Sequence, residues 1–471
     1  MIRKSKLLPV ILSVLMLCAC GSEESSGEPT GTTTTVTAAS TASTASATAA
    51  AETSVSTEAL TSAPETVTET ETEAPSETVT EAPTETVTEK VTESVTRKQT
   101  EKQTEKQTEA PKKPVPAEKV KGKTAKAVFE ELTLEEKVGQ VFITRSDALI
   151  YDDFADHGVN YVDDKVREAL KKIPLGGITL FGGNAKTPEQ ILSFTGGFQD
   201  ASRVPMIMTL DEEGGNVARL ANAGFPVTKF PSMGKIGDTG DPEQAYTAGY
   251  TIGKYIKSYG FNSDLAPVAD VNTNPLNIVI GTRAFGSDPV MASKFVSRYI
   301  DGLHAAGAMS CLKHFPGHGD TIADTHISAA VVNKTWDELK ECELIPFADN
   351  LDKTDMVMAA HIALPNVTGD NTPASLSYEI LTNKLHKEMG FKGVIITDGL
   401  GMNAVRNYYS SGEAAIKSFM AGADILLIPE KISEAYTALL NAVKSGTVPM
   451  SRLDESVMRI LELKEKYGLL G

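Results

Sequence analysis

From residue 122 onward, short apolar runs alternate with longer stretches in which apolar residues recur at helical spacing. The runs are VGQVFITR (138–145), GGITLFGG (176–183), PMIMTLDEEGG (205–215), NSDLAPVAD (262–270), AMSCLKHFPG (308–317), MVMAAHIA (356–363), GVIITDGLG (393–401) and ADILLIP (423–429). They are apolar throughout rather than alternating, as parallel strands covered on both faces should be. Between them lie segments such as PEQILSFTGGFQDA and DPVMASKFVSRYIDGLHAAG, with Pro or Asp near the start and Gly near the end, the boundary marks of helices. Eight such alternations in roughly 350 residues predict an α/β fold, a (β/α)8 TIM-type barrel over 122–471. A doubly wound open sheet is the structural rival. The final SRLDESVMRILELKEKYGLL reads as a closing amphipathic helix, leaving no room for a second folded domain.

The first 121 residues follow another pattern. Arg3, Lys4 and Lys6 precede an apolar run, Leu7 to Leu17, that is too short to span a bilayer and reads as a signal peptide over 1–20. It ends in Leu17-Cys18-Ala19-Cys20-Gly21, small residues before a cysteine, as in the bacterial lipobox. Cys20 is the expected lipidation site, which places the protein outside the cytoplasm, lipid-anchored to the cell membrane. Residues 21–121 are dominated by Thr, Ser, Ala, Glu, Val, Pro and Lys, with imperfect repeats such as SETVTEAP and EKQTEKQTE. Such a composition cannot bury enough apolar area to offset chain entropy, so a disordered stalk is expected. As a coil it would reach roughly 50–60 Å, and about 330 Å if pulled straight.

Net charge is −17, so no basic field exists for nucleic acid or anionic lipid. Of four cysteines, Cys18 is expected to leave with the signal and Cys20 to be acylated; Cys311 and Cys342 are too few for a disulfide framework.

In a barrel of this kind chemistry gathers where strands end. The third run ends in Asp211-Glu212-Glu213, with Arg219 following; the fifth in Lys313-His314; the sixth in His361; the seventh in Asp398-Gly399. Any one of these has a bland reading as a cap or a satisfied histidine. Four together point to a polar pocket for a neutral polyhydroxylated ligand. The loop after the fifth run, Lys313 to His326 (KHFPGHGDTIADTH), holds three of the seven histidines. An imidazole beside a carboxylate, as His326 is two residues from Asp324, is suited to proton transfer near neutral pH. A metal site from His314, His318, His326 and the aspartates competes, but the spacing fits no common zinc pattern. His361 is read as a strand cap, and Trp336 as packing.

KHFPGHGDTIADTH, together with LDEEGGNVARL (210–220), IGTRAFGSDP (280–289) and VIITDGLGM (394–402), resembles family 3 glycoside hydrolases of the bacterial β-N-acetylhexosaminidase branch. The resemblance spans nearly all of 127–471. It implies a (β/α)8 barrel and a retaining enzyme that removes terminal β-linked N-acetylglucosamine from peptidoglycan fragments or related glycans. It implies Asp398 as nucleophile and His326 as general acid and base, with Asp324 as its partner. It implies sugar binding by Asp211, Arg219, Arg283, Lys313 and His314, with no cofactor or metal. A monomer is expected. Gly399 stands where many relatives carry an acidic residue, and Thr325 where Ser is commoner.

The chemistry is consistent with those roles. Glycoside cleavage passes through an oxocarbenium-like state that a carboxylate beneath the anomeric carbon stabilises and then bonds. A histidine acid departs neutral after protonating the leaving group, so an anionic acceptor such as phosphate meets less repulsion than beside a carboxylate. Phosphorolysis therefore stands beside hydrolysis. The other readings are a β-glucosidase or β-xylosidase of the same family, a substrate-assisted enzyme using the adjacent Asp211 and Glu212, and a non-catalytic sugar-binding lipoprotein. Arg283 has a structural alternative as a barrel-rim ion pair.

Overall fold

The computed structural model describes residues 119–321 and 330–471. The signal peptide, Cys20 and residues 21–118 of the stalk lie outside the described residues, as do Asp324, Thr325 and His326.

Each of the eight apolar runs contributes one strand to the main circuit: β1 (Phe142–Thr144), β2 (Gly177–Leu180), β3 (Ile207–Leu210), β4 (Ser263–Asp264), β5 (Cys311–Phe315), β6 (Met356–Ala359), β7 (Val394–Thr397) and β8 (Leu426–Leu427). All pair in parallel. One sheet runs β8-β1-β2-β3-β4 and a second runs β5-β6-β7. Isolated parallel bridges, Ser263 to Met309 and Val268 to Lys313 at one edge and Ile396 to Ile425 at the other, join the two sheets. Chain neighbours are therefore spatial neighbours around the whole circuit, with β8 beside β1. A doubly wound sheet would instead reverse its strand order at a switch point. The fold is TIM-barrel-like α/β.

The strands are buried along their length, which is why their sequences show no polar alternation. The helices between them begin and end on the residues that mark them in sequence. Thr187 caps Pro188–Ala201 by accepting from Gln190 N–H, with Pro in the first turn. Asp288 caps Pro289–Ala306 by accepting from Val290 and Met291 N–H, and Gly307 ends that helix at φ 77°, in the left-handed conformation that suits glycine. Cys311 is buried in β5 and Cys342 half-buried, and both are free thiols.

The final helix, Met450–Lys466, carries a fully buried lysine. Lys464 Nζ donates to Gln140 Oε1 (2.7 Å) and to the carbonyl of Gly176 (3.0 Å), both at the starts of strands and so opposite the end where Asp398 lies. Burial pushes its amine down to about 7, against about 10.4 in an unfolded chain. Between those values the unfolded state holds the extra proton, so raising pH stabilises the fold. Thermal unfolding of wild type relative to Lys464→Met should show stability gained from pH 7 to 10 at up to about 1.4 kcal/mol per pH unit. Parallel pH profiles for the two proteins would rule this out.

Candidate active site

Beyond the C-terminal ends of the strands lies a cavity of about 350 Å³. Asp211, Arg219, Arg283, Lys313, His314 and Asp398 all line it, with Phe154, Phe181 and Met402 among its apolar walls. Six of the residues singled out in sequence are thus brought together. They come from the ends of β3, β5 and β7 and from the loops after β3 and β4.

A charge network binds most of them. Lys313, 1% exposed, places Nζ 2.7 Å from Asp211 Oδ1 and 2.6 Å from Glu213 Oε1. Arg219 Nη2 donates to Asp211 Oδ2 at 2.8 Å. Arg283 grips Glu213 with two bonds, Nε to Oε2 at 2.9 Å and Nη2 to Oε1 at 2.7 Å. Burial would raise both carboxyls, but the cations outweigh it. Lys313 and Arg219 hold Asp211 well below the usual carboxylate range, and Arg283 and Lys313 bring Glu213 down to about 2. Burial disfavours the charged amine of Lys313, yet Asp211 and Glu213 hold it above the ordinary lysine range. The site thus presents fixed, ionised hydrogen-bonding groups to a ligand, and charge-assisted bonds of this kind are the strong ones. Arg283 is both a rim ion pair and a wall of the cavity.

Glu213, which the sequence places only among the charges closing the third run, holds two of the cations that line the cavity, Lys313 and Arg283. The reason lies in the turn after β3, where Glu212–Gly214 pairs antiparallel with Val217–Ala218. Successive side chains there point to opposite sides. Glu212 faces away from the cavity, accepting from Leu220 N–H (2.8 Å), Ala221 N–H (3.0 Å) and Tyr255 Oη–H (2.9 Å). The adjacent Asp211 and Glu212 do not form a pair in one site, which corrects the substrate-assisted alternative.

Asp398 follows β7 directly. Its N–H donates to Ala359 C=O (2.9 Å), extending the ladder to β6, and its Oδ1 accepts from Gly399 N–H (2.8 Å). Burial would raise this carboxyl, but the imidazoles of His361 and His314, the Gly399 N–H and Lys313 together hold it below the ordinary range. An anionic carboxylate is what attack on an electrophilic carbon requires. The loop beyond is laid along β8 through Leu400 N–H to Leu427 C=O and Gly401 N–H to Ile428 C=O. Ile428 sits at φ 41° on the cavity wall, a backbone setting that a β-branched residue occupies only when its surroundings impose it. His361 is buried outside the cavity lining. Its Nδ1 meets Ser375 Oγ (2.6 Å) and its Nε2 the Gly399 carbonyl (2.9 Å), so it props the turn that aims Asp398. A Cβ on Gly399 would touch only Met402, at 3.7 Å, so the acidic residue common there in relatives has space but is not needed for packing.

The loop after β5 begins under tight constraint. Asp270, buried at the end of the fourth run, accepts from His314 Nδ1 (2.7 Å), from His314 N–H (3.2 Å) and from His318 N–H (2.6 Å). His318 also lines the cavity, with Nδ1 2.6 Å from Thr321 Oγ1. A Cβ on Gly319 would run into the backbone carbonyl of Val271, and one on Gly317, at φ 125°, into Glu343. These glycines are required for close approach, so their substitution displaces backbone. Lys334, past the far end of the loop, pairs with Asp320 (3.1 Å) and with buried Glu343 (2.5 Å). The Asp324–His326 pair lies outside the described residues. Trp336 is buried and donates to Glu388 Oε1 at 2.8 Å, a packing role as expected.

Residues 133–463 match the family described as Glycosyl hydrolase family 3 N terminal domain. Beta-hexosaminidase A of Pseudoalteromonas piscicida is 35% identical over 332 residues, 64% of this chain and 55% of that protein. A beta-hexosaminidase of Xylella fastidiosa strain 9a5c is 34% identical over 278 residues, 57% of this chain and 81% of its own. Among solved structures, a family 3 β-N-acetylglucosaminidase from Paenibacillus sp. str. FPU-7 superposes with a TM-score of 0.67 at 35% identity, covering 72% of this chain and 63% of that one. A beta-glucoside phosphorylase bound to 2FGlc does so with 0.65 at 26% identity, covering 73% and 60%. The chain spans a little over half the length of the first of these relatives. With a family match across most of its length and a strand-end cavity that assembles the motif residues, the chain belongs to glycosyl hydrolase family 3.

Proposed function

We propose that the protein is a retaining exo-β-N-acetylhexosaminidase that removes terminal β-linked N-acetylglucosamine from peptidoglycan fragments or related glycans. One observation carries the reading: ionised Asp398 shares a single cavity with the Asp211, Arg219, Arg283, Lys313 and His314 set. In this reading those five groups hold the hydroxyls of the terminal sugar. Asp398 attacks the anomeric carbon as the glycosidic bond breaks, and His326, oriented by Asp324, gives its proton to the departing oxygen. The same imidazole then takes a proton from water, which releases the sugar from Asp398 with the original anomeric configuration. Relatives named beta-hexosaminidase and β-N-acetylglucosaminidase support the substrate class.

The wider arrangement belongs to the same proposal. Residues 122–471 form the catalytic barrel, held as a monomer outside the cytoplasm by lipid on Cys20 and spaced from the membrane by the 21–121 stalk. Phosphate is the second acceptor to be considered. An imidazole acid adds no negative charge beside the intermediate, and one of the similar structures is a beta-glucoside phosphorylase.

The test is an activity panel over nitrophenyl β-N-acetylglucosaminide, β-glucoside and β-xyloside, with and without inorganic phosphate. Preference for the N-acetylglucosaminide by tenfold or more is expected. Free sugar as product marks hydrolysis, and sugar 1-phosphate marks phosphorolysis. Preference for the glucoside or xyloside would overturn the substrate reading, and binding of N-acetylglucosamine without turnover would overturn the enzymatic one.

A further inference from the structure

Asp270 has no part in bond making as described above, yet it is a buried carboxylate tied to two residues of the cavity wall, His314 and His318. It is 1% exposed and accepts three hydrogen bonds, one oxygen taking the backbone N–H of His314 and of His318, the other taking His314 Nδ1. Its own backbone follows Ala269, whose N–H meets the Lys313 carbonyl at 2.6 Å, and Val268 bridges Lys313 in parallel. The carboxylate is thus fixed to β5 by main chain as well as side chain.

The other nitrogen of His314 is constrained as well. Nε2 lies 3.4 Å from Arg283 Nη2. A guanidinium has donors only, and an ionised carboxylate has acceptors only. Nδ1 must therefore carry the hydrogen that Asp270 receives, and Nε2 must present its lone pair. The cations and Asp398 have fixed hydrogen-bonding character, whereas an imidazole could serve as donor or acceptor.

We infer that Asp270 is a positioning residue of the sugar site: it sets His314 as the Nδ1–H tautomer, with Nε2 an acceptor at the cavity wall, and anchors the first turn of the 314–321 loop. An acceptor there receives a hydrogen bond from a sugar hydroxyl beside Lys313 and the two arginines, which can only donate. The consequence for sugar binding rests on the function proposed above; the tautomer does not.

Asp270→Asn keeps the shape and inverts one hydrogen-bonding group. The amide oxygen can still take the backbone N–H groups, which turns the NH2 toward His314 Nδ1. That nitrogen then becomes an acceptor, the hydrogen moves to Nε2, and Nε2–H confronts Arg283. Long-range proton–nitrogen NMR of 15N-histidine protein, with His314 assigned by its loss in His314→Gln, reads this directly. The expected result is Nδ1 protonated and Nε2 bare in wild type, reversed in Asp270→Asn. On the β-N-acetylglucosaminide, kcat/KM should fall about ten- to a hundredfold, carried more by KM than by kcat, the range expected when a buried polar group loses its partner.

A second measurement separates positioning from general damage. In a His314→Gln background the Asp270→Asn change should cost little further in kcat/KM, because its route to the substrate is gone. Equal losses in both backgrounds, or an Nε2–H tautomer in wild type, would overturn the inference. If Asp270→Asn does not fold, the wild-type spectrum alone still decides the tautomer. If wild type turns over no glycoside, the proposed function fails while the spectrum still tests the Asp270–His314 pair.

Discussion

Asp398→Ala is expected to lower kcat/KM on the nitrophenyl β-N-acetylglucosaminide by about 10⁴-fold or more, as loss of a covalent nucleophile does. Folding stability should fall slightly, because the folded protein holds this carboxylate ionised in spite of its burial. Its interactions there are a bond from the neighbouring Gly399 N–H and attraction to His361, His314 and Lys313. Azide offers a second check. With the carboxylate gone, azide can occupy the vacated face, attack the anomeric carbon as the nitrophenolate leaves, and give the inverted glycosyl azide. Its appearance with Asp398→Ala and not with wild type would place Asp398 beneath the anomeric carbon. Comparable rates in variant and wild type would remove it from the mechanism. Because His361, His314, Gly399 N–H and Lys313 hold the Asp398 carboxyl low despite burial, the nucleophile stays ionised into acidic pH. Any acidic loss of activity near neutrality must then belong to another group.

Lys313→Met should be the most damaging change for stability. The side chain is near in length but carries no charge, and it leaves Asp211 and Glu213 as two buried carboxylates that have lost their shared cation. Removing one partner from a buried ion pair costs about 3–5 kcal/mol. Arg219 and Arg283 still hold one carboxylate each, which argues for the lower end. The pH dependence has a definite sign. Glu213 is depressed to about 2 in the folded protein, so its contribution is complete above its unfolded value near 4.3 and is lost as pH falls toward 2. The gap between wild type and Lys313→Met should therefore be widest at neutral pH and close progressively below about pH 5. Chemical denaturation at pH 7 and pH 4 measures it. A gap independent of pH would mean that packing, not charge, is what Lys313 supplies. Activity should fall as well, since Lys313 is a donor in the cavity and orients two acceptors.

The strands and the residues at their ends are legible in the sequence. Each of the eight runs holds a strand because a parallel strand covered on both faces has to be apolar along its length, a property written locally in the chain. The helix boundaries at Pro188, Asp288 and Gly307 were legible for the same reason, since helix ends are set by neighbours within one turn. Asp211, Arg219, Arg283, Lys313, His314 and Asp398 could be picked out because they close apolar runs or fall in the motifs that resemble the family.

The order of strands and helices and the chemistry placed at strand ends are thus written locally in the chain. Which of those groups face one another was decided only by tertiary structure. Glu213 looks like its neighbour Glu212 until the short hairpin after β3 sends one toward Lys313 and Arg283 and the other toward Tyr255. Asp270 closes a run as unremarkably as any capping aspartate, and gains its importance from His314, 44 residues later in the chain. His361 reads as a cap of its own strand, yet its imidazole meets the carbonyl of Gly399 beside Asp398. The physical reason is common to all three. Backbone propensity and burial pattern act over a few residues, whereas the partner of a buried charge is chosen by the closing of the strand circuit, which brings together segments that no local rule relates.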